Sequence, residues 1–176
     1  MSPFDCLIRA GVPITWDTIR LGFEGFEGLP STLSGSDVAQ FAIQRIEAQG
    51  PVNDAEVELL SVSSKTPDRM LGPLAKLATV DTDGTDNEVR KWRLALLGCL
   101  IDTLPDDPVD SLTELTDFWA SFGYPTDSPH VVQGRGNRIS PTDYYTPAMR
   151  DSVLEAHRRW LNHETKALRA RADRLG

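Results

Sequence analysis

The chain has 176 residues, a net charge of −8 and an isoelectric point near 4.8. This length is enough for one domain with a real core, and we treat residues 1–176 as a single helical domain. The acidic balance argues against nucleic acid or an anionic membrane as the main partner, because both are polyanions. An acidic body suits fast capture of a basic partner protein, and it also serves ordinary solubility.

Signals for helices dominate the first half of the chain. The predicted helices begin at Thr15 and at Ser36 and cover residues 55–62 and 67–78. A glycine-rich segment ends the first helix and a Gly-Pro pair ends the second, since both residue types disrupt helices.

The segment Asp81–Glu88 holds four carboxylates in eight residues. An EF-hand alignment puts Arg90 at the position of the bidentate glutamate, where a cation would repel the metal, so this template fails. Thr85 and Glu88 instead have the spacing of a capping box. The residues that follow are apolar on nearly all sides, which predicts a central, buried helix with its N-cap at Thr85.

A second interpretation of this segment is catalytic. Asp81-Thr82-Asp83-Gly84-Thr85 resembles the nucleophile loop of haloacid-dehalogenase-type phosphotransferases. In that family the first Asp attacks phosphorus, the second is the acid or base, and Mg²⁺ neutralises the charge. The resemblance covers only residues 77–85, and the residues before Asp81 have helical spacing where the family has a strand. A Mg²⁺-dependent phosphohydrolase is therefore the alternative function.

Two helices are predicted in the second half of the chain. One begins at Pro108, which suits the first helical position, and ends at Gly123. The other begins at Pro147, and its residues after about 169 are predicted to fray. Its leucines recur every seven residues, but polar residues occupy the companion heptad positions: His157, Glu164 and Arg171. We therefore expect the leucine stripe to pack on its own domain, and self-association is a second alternative.

The segment between these helices, residues 124–146, is unusually long for an irregular loop, and such loops are often functional. Residues 130–133 and 138–140 flank a glycine-containing turn and predict a small hairpin. Arg135 and Arg138 form a basic spot within this segment.

The sequence contains no catalytic constellation beyond the aspartate loop. His157 and His163 are six residues apart and do not share the helix face that two zinc ligands require. No serine lies in a Gly-x-Ser-x-Gly motif. We therefore predict no catalytic residue, no metal ion, no cofactor and no enzymatic activity.

The two cysteines, Cys6 and Cys99, lie in no redox or metal motif, which indicates reduced thiols. The segment Met1–Asp5 has neither the basic region nor the apolar run of a signal peptide. The longest apolar run, Leu94–Ile101, is too short to cross a bilayer. We therefore expect a soluble cytoplasmic protein.

Three segments, at residues 11–16, 91–93 and 118–125, together resemble a bacterial family of uncharacterised helical domains. Some members of that family appear as immunity proteins in polymorphic-toxin systems. The resemblance implies protein binding, such as the neutralisation of a toxin, and carries over no catalytic residue.

These observations predict an all-α fold: a compact bundle of about six to seven helices around a central buried helix, with one long irregular loop before the C-terminal helix. The predicted function is non-catalytic protein binding, most concretely by an immunity protein that neutralises a cognate toxin by occlusion. The candidate partner-binding residues are Asp81, Asp83, Asp86, Arg135, Arg138, Tyr144 and Tyr145.

Overall fold

The computed structural model describes residues 1–26, 28–50, 54–61, 67–78 and 82–175. These ranges form nine α-helices and a 3-10 turn at Pro67–Arg69, and they contain no β-strand, which confirms the all-α prediction. The helices are α1 Pro3–Ala10, α2 Trp16–Glu24, α3 Gly35–Gln49, α4 Asp54–Ser61, α5 Leu71–Leu77, α6 Thr82–Thr103, α7 Pro108–Ser121, α8 Pro141–Tyr144 and α9 Pro147–Leu175. None of them combines the length and the hydropathy needed to cross a bilayer.

Helix α6 is the centre of the fold, as predicted. It packs against α1, α2 and α9, and its Trp92 and Leu97 are fully buried. The Trp92 indole donates a hydrogen bond to the carbonyl of Thr18 at 2.9 Å. A Cβ atom at Gly22 would lie 2.0 Å from the Trp92 ring, so glycine at that position allows α2 to approach α6 this closely.

The start of α6 corrects the predicted capping box. The helix begins at Thr82, so Thr85 lies inside it rather than at the N-cap. Glu88 is 6% exposed, and its carboxylate accepts hydrogen bonds from the Thr18 hydroxyl and, at 2.7 Å, from Lys91 Nζ. A buried carboxylate requires partners of this kind, and here they come from α2 and from the next turn of α6.

Other helix boundaries follow their caps. Ser2 caps α1, which the sequence analysis missed although a Ser-Pro start is a helix signal. Helix α3 begins two residues earlier than predicted, because Ser34 rather than Ser36 is the N-cap. Asp107 caps α7 as expected, and its side chain accepts hydrogen bonds from the amides of Val109 and Asp110.

The predicted hairpin is absent from the segment between α7 and α9, all of which the structure describes. Asn137 forms the turn instead: its amide group donates to the Val132 carbonyl at 2.8 Å and accepts from the amides of Gly134 and Ile139. These side-chain bonds replace the strand pairing that a hairpin would provide. The short helix α8 ends the segment.

Two histidines, His157 of α9 and His130 of this segment, form hydrogen bonds with residues of α7. The Trp119 indole donates to Nε2 of His157 at 2.8 Å, and Nδ1 of His157 donates to the Val153 carbonyl at 2.7 Å. His130 bonds the Thr116 hydroxyl through Nε2 at 2.9 Å, and its buried Nδ1 has no partner in the described part of the chain. Burial and the neighbouring His157 lower the pKa of His130 to about 3, and burial also lowers the pKa of His157.

A disulfide joins Cys6 of α1 to Cys99 of α6, across 93 positions of sequence. The expectation of reduced thiols is therefore wrong for this structure. Sequence spacing gave no sign of the bond, because the two sulfur atoms meet only when α1 packs on α6.

Removal of the disulfide should destabilise the fold. For a closed loop of this length, we expect the double variant Cys6→Ser/Cys99→Ser to lose about 2–5 kcal/mol of unfolding free energy, because the unfolded chain gains conformational freedom. Urea denaturation with and without dithiothreitol measures the difference. The wild type should respond to the reductant and the double variant should not; equal midpoints in all four samples would contradict a stabilising bond.

The buried histidines should make stability depend on pH. Both rings titrate near 6.5 in the unfolded chain, so that chain takes up protons below this pH while the folded chain does not. The free energy of unfolding should therefore fall as pH drops from about 7 to about 5, by up to about 1.4 kcal/mol per pH unit for each ring. For His130 the loss continues to about pH 3. Urea denaturation across this range measures the slope.

A matched pair of variants isolates this effect. His130→Asn removes one titrating ring and should make the slope shallower. His163→Asn changes an exposed histidine on α9 and should leave the slope as in the wild type. If His130→Asn kept the wild-type slope, burial of a neutral His130 would not be the cause.

Candidate functional site

A groove of about 680 Å³ lies between the end of α2, the start of α3 and the helix α5. Phe23, Leu33 and Leu71 make its lining largely apolar, and Leu71 is 39% exposed. The carboxylates of Glu24 and Asp68 are exposed at the same groove. We call this feature the α2–α3–α5 groove.

Backbone hydrogen bonds hold one wall of the groove in place. The amides of Thr32 and Leu33 both donate to the Gly22 carbonyl, at 2.8 and 2.9 Å. The hydroxyl of Ser31 donates to the Phe23 carbonyl at 2.7 Å. The loop after α2 is thereby tied back onto the end of that helix, and Leu33 is held in the wall of the groove.

The start of α3 forms the next part of the groove, and its polar groups already have partners. The Ser34 amide donates to the Asp37 carboxylate at 2.8 Å, and the Asp37 amide donates to the Ser34 hydroxyl at 3.3 Å. This capping box satisfies two of the free amides at the helix start. Recognition in the groove therefore depends on its apolar side chains and its rim carboxylates.

A buried polar contact stabilises the helices behind the groove. Glu56 of α4 is fully buried, and its Oε1 accepts hydrogen bonds from the Trp16 indole at 3.2 Å and from Arg45 Nε at 3.0 Å. The contact links α2, α3 and α4. It fixes the arrangement of two of the three helices that line the groove.

The chemistry of the groove suits a protein partner. An apolar depression with negative charge at its edge accepts an apolar side chain whose neighbour is Lys or Arg. Its volume lies in the range of sites that bind drug-sized ligands or a few side chains. No cluster of three or more metal-ligating side chains is found in the described ranges.

Of the predicted acidic residues, Asp86 has a described side chain, and it lies outside the groove lining. Asp81 lies outside the described residues, as does the side chain of Asp83. Asp86 is exposed near the start of α6. Residues 82–85 belong to α6, whereas the phosphotransferase loop follows a strand, so this part of the segment does not match the catalytic template.

The predicted residues of the long loop divide into two groups. Arg135 and Arg138 are exposed, and the Arg135 guanidinium carbon lies 4.1 Å from the centre of the Tyr124 ring. Tyr144 is 1% exposed and donates its hydroxyl to the Val131 carbonyl, so it cannot anchor a partner, which corrects its place in the predicted set. Tyr145 is half-buried and packs edge-to-face on Tyr144.

Sequence reasoning missed the groove residues Glu24, Leu71 and Asp68. Each belongs to an element whose helical character the pattern predicted, but a groove arises only where three helices meet. An exposed leucine near an aspartate is an ordinary surface pattern. The groove can be recognised only in the structure, where Leu71 lines the same depression as Phe23 and Leu33.

Comparison with known protein families gives a match over most of the chain. The family model DUF2247, described as an uncharacterized protein conserved in bacteria, matches residues 4–165. No curated protein and no solved structure gives a significant match. The matched region includes the groove and omits only the first three residues and the last eleven. The chain therefore belongs to the DUF2247 family of uncharacterized bacterial proteins.

Proposed function

We propose that this protein is a non-catalytic binding domain that neutralises a cognate bacterial toxin domain by occluding its active site. The observation that carries the proposal is the α2–α3–α5 groove, which combines an apolar lining with exposed carboxylates. Three sequence segments resemble a bacterial family of helical domains, some members of which appear as immunity proteins, and this resemblance supports the choice of a toxin as partner.

The charge of the protein supports a basic partner. The net charge of −8 steers a cationic protein toward this surface and raises its association rate. In the groove, an apolar side chain of the partner would pack on Phe23 and Leu71, and an adjacent Lys or Arg would pair with Glu24 or Asp68. Burial of the apolar side chain supplies most of the affinity, and the charges set its orientation.

We propose occlusion of the active site because the positive charge of a basic toxin such as a nuclease lies where it binds its substrate. A nuclease binds its substrate through cationic side chains, so an acidic protein competes for the same surface. Asp81, Asp83 and Asp86 would act as phosphate mimics in this case. They are proposed as a second acidic contact, separate from the residues of the groove.

The apolar stripe of α9 gives self-association no support. Val153, Leu154 and Leu168 are each less than 5% exposed, because α6 and α7 cover them within the same chain. A dimer built on this stripe would first have to remove α9 from its own core.

The groove proposal predicts a specific loss of partner binding. We expect the double variant Glu24→Lys/Asp68→Lys to bind a basic partner about tenfold or more weakly, because two favourable charge contacts become repulsive. Leu71→Ala should also weaken binding, through lost apolar contact. The partner would be captured from source cells with wild-type bait, identified by mass spectrometry, purified and titrated by calorimetry.

The matched control is Glu47→Lys/Asp117→Lys, which changes the net charge equally at exposed positions of α3 and α7. It should bind nearly as well as the wild type. Equal losses in both double variants would show general charge attraction and reject the groove.

The toxin assignment has its own test: the partner expressed alone should arrest growth, and co-expression with this protein should restore growth. A harmless partner would contradict that assignment.

We also propose that the protein acts in the cytoplasm, because that is where such a toxin would act on the cell that produces it. Disulfides are rare in that compartment, because glutathione and thioredoxin keep thiols reduced. A cytoplasmic location therefore requires Cys6 and Cys99 to be reduced in the source cells, whereas the structure joins them in a disulfide. Acid quenching followed by alkylation and mass spectrometry measures this. A fully formed disulfide in freshly quenched cells would contradict a reducing location.

A further inference from the structure

A second cleft, of about 530 Å³, lies between α6, α9 and the segment that follows α7. It differs from the groove in chemistry, because charged side chains and one indole line it. The side chains that matter are Arg90, Arg93, Asp127, Trp160, His163 and Glu164.

One ion pair in this cleft is closed. Arg90 donates to both carboxylate oxygens of Glu164, from Nε at 2.6 Å and from Nη2 at 2.9 Å. The hydrogen bond to Glu164 raises the pKa of Arg90. A bidentate pair of this geometry is strong, and its two charges cancel. Arg90 and Glu164 therefore form a fixed part of the cleft wall, and recognition of a ligand depends on the neighbouring side chains.

Arg93 is a cation of the cleft whose hydrogen-bond donors are not all used by the described residues. Its side chain is 7% exposed, and its Nη2 donates to Asp127 at 2.9 Å. Its buried Nε has no hydrogen-bond partner within the described ranges. The guanidinium carbon lies 5.6 Å from the Trp160 ring centre and 5.9 Å from that of Trp119. The two indoles thus hold a buried guanidinium whose donors are incompletely used.

The partner of Arg93 is easily displaced. Asp127 lies on the loop after α7, and its side chain is 46% exposed, so water screens its attraction to Arg93. A buried guanidinium with an unpaired N–H is costly, and an oxyanion that accepts two of its hydrogen bonds would remove that cost. Such an oxyanion would take the place of the Asp127 carboxylate, which would turn toward solvent.

We propose that this cleft binds a small molecule that carries a carboxylate or phosphate group, with Arg93 as the anion-binding residue. Trp160 supplies an apolar wall for the body of the ligand, and the exposed His163 lies at the same cleft as a further donor. In the absence of ligand, the Asp127 carboxylate occupies the anion position. This site is independent of the protein-binding function proposed for the groove.

Calorimetry with two probes at constant ionic strength tests this site. Benzoate represents an organic carboxylate and inorganic phosphate represents a phosphate group, with sodium chloride as the reference salt. We expect saturable binding of at least one probe. Asp127→Asn should tighten binding about threefold or more, because the competing internal carboxylate is removed. Asp117→Asn, at an exposed position of α7, should bind as the wild type does.

The outcomes separate the possibilities. Tighter binding of benzoate would assign an organic carboxylate as the ligand class, and tighter binding of phosphate would assign a phosphate. Arg93→Lys should weaken either probe about tenfold, because lysine cannot form the two-pronged contact. If Arg93→Lys does not fold, Asp127→Asn decides alone. No saturable binding in Asp127→Asn, or equal affinity in Asp127→Asn and Asp117→Asn, would overturn the proposal.

Discussion

The architecture depends on a helix that is buried although its first half is charged. Within two turns α6 presents Glu88, Arg90 and Arg93 to the interior or to half-buried positions, and each must find an opposite charge or a hydrogen bond. Those partners lie on different elements: Thr18 on α2, Glu164 on α9, and Asp127 after α7. Each pairing fixes one element against the central helix, so these polar contacts help to specify the arrangement of the bundle.

Adjacent residues of α6 connect the two candidate sites. Trp92 packs on Gly22, whose carbonyl also holds the loop that forms one wall of the groove. Arg93, the next residue, faces the cleft beside α9. Because consecutive positions on a helix point in different directions, one helix supports the groove proposed to bind a protein on one side and the cleft proposed to bind an anion on another.

The sequence predicted those features that depend on neighbours in the chain. Thr15, Asp107 and the glycine after α7 are local signals, and the corresponding helix ends are where the patterns place them. The buried character of α6 also follows from its own composition. Features that depend on distant partners were missed. Glu88 has the spacing of a capping residue, yet it pairs with Thr18, seventy positions away. The cysteine pair and the groove depend on helix packing in the same way.

The disulfide makes a closed covalent ring of the chain from Cys6 to Cys99. Helices α2 to α5, and with them the whole groove, lie within this ring. In the oxidised protein, a protease that cuts one peptide bond anywhere in the ring opens it without releasing a fragment. The nicked molecule keeps its two pieces tethered, and the effective concentration of one piece for the other stays high. A single cut within the ring would divide the reduced protein into two separate fragments. The oxidised protein would stay in one covalent piece after the same cut, even though the ring includes the surface proposed for binding.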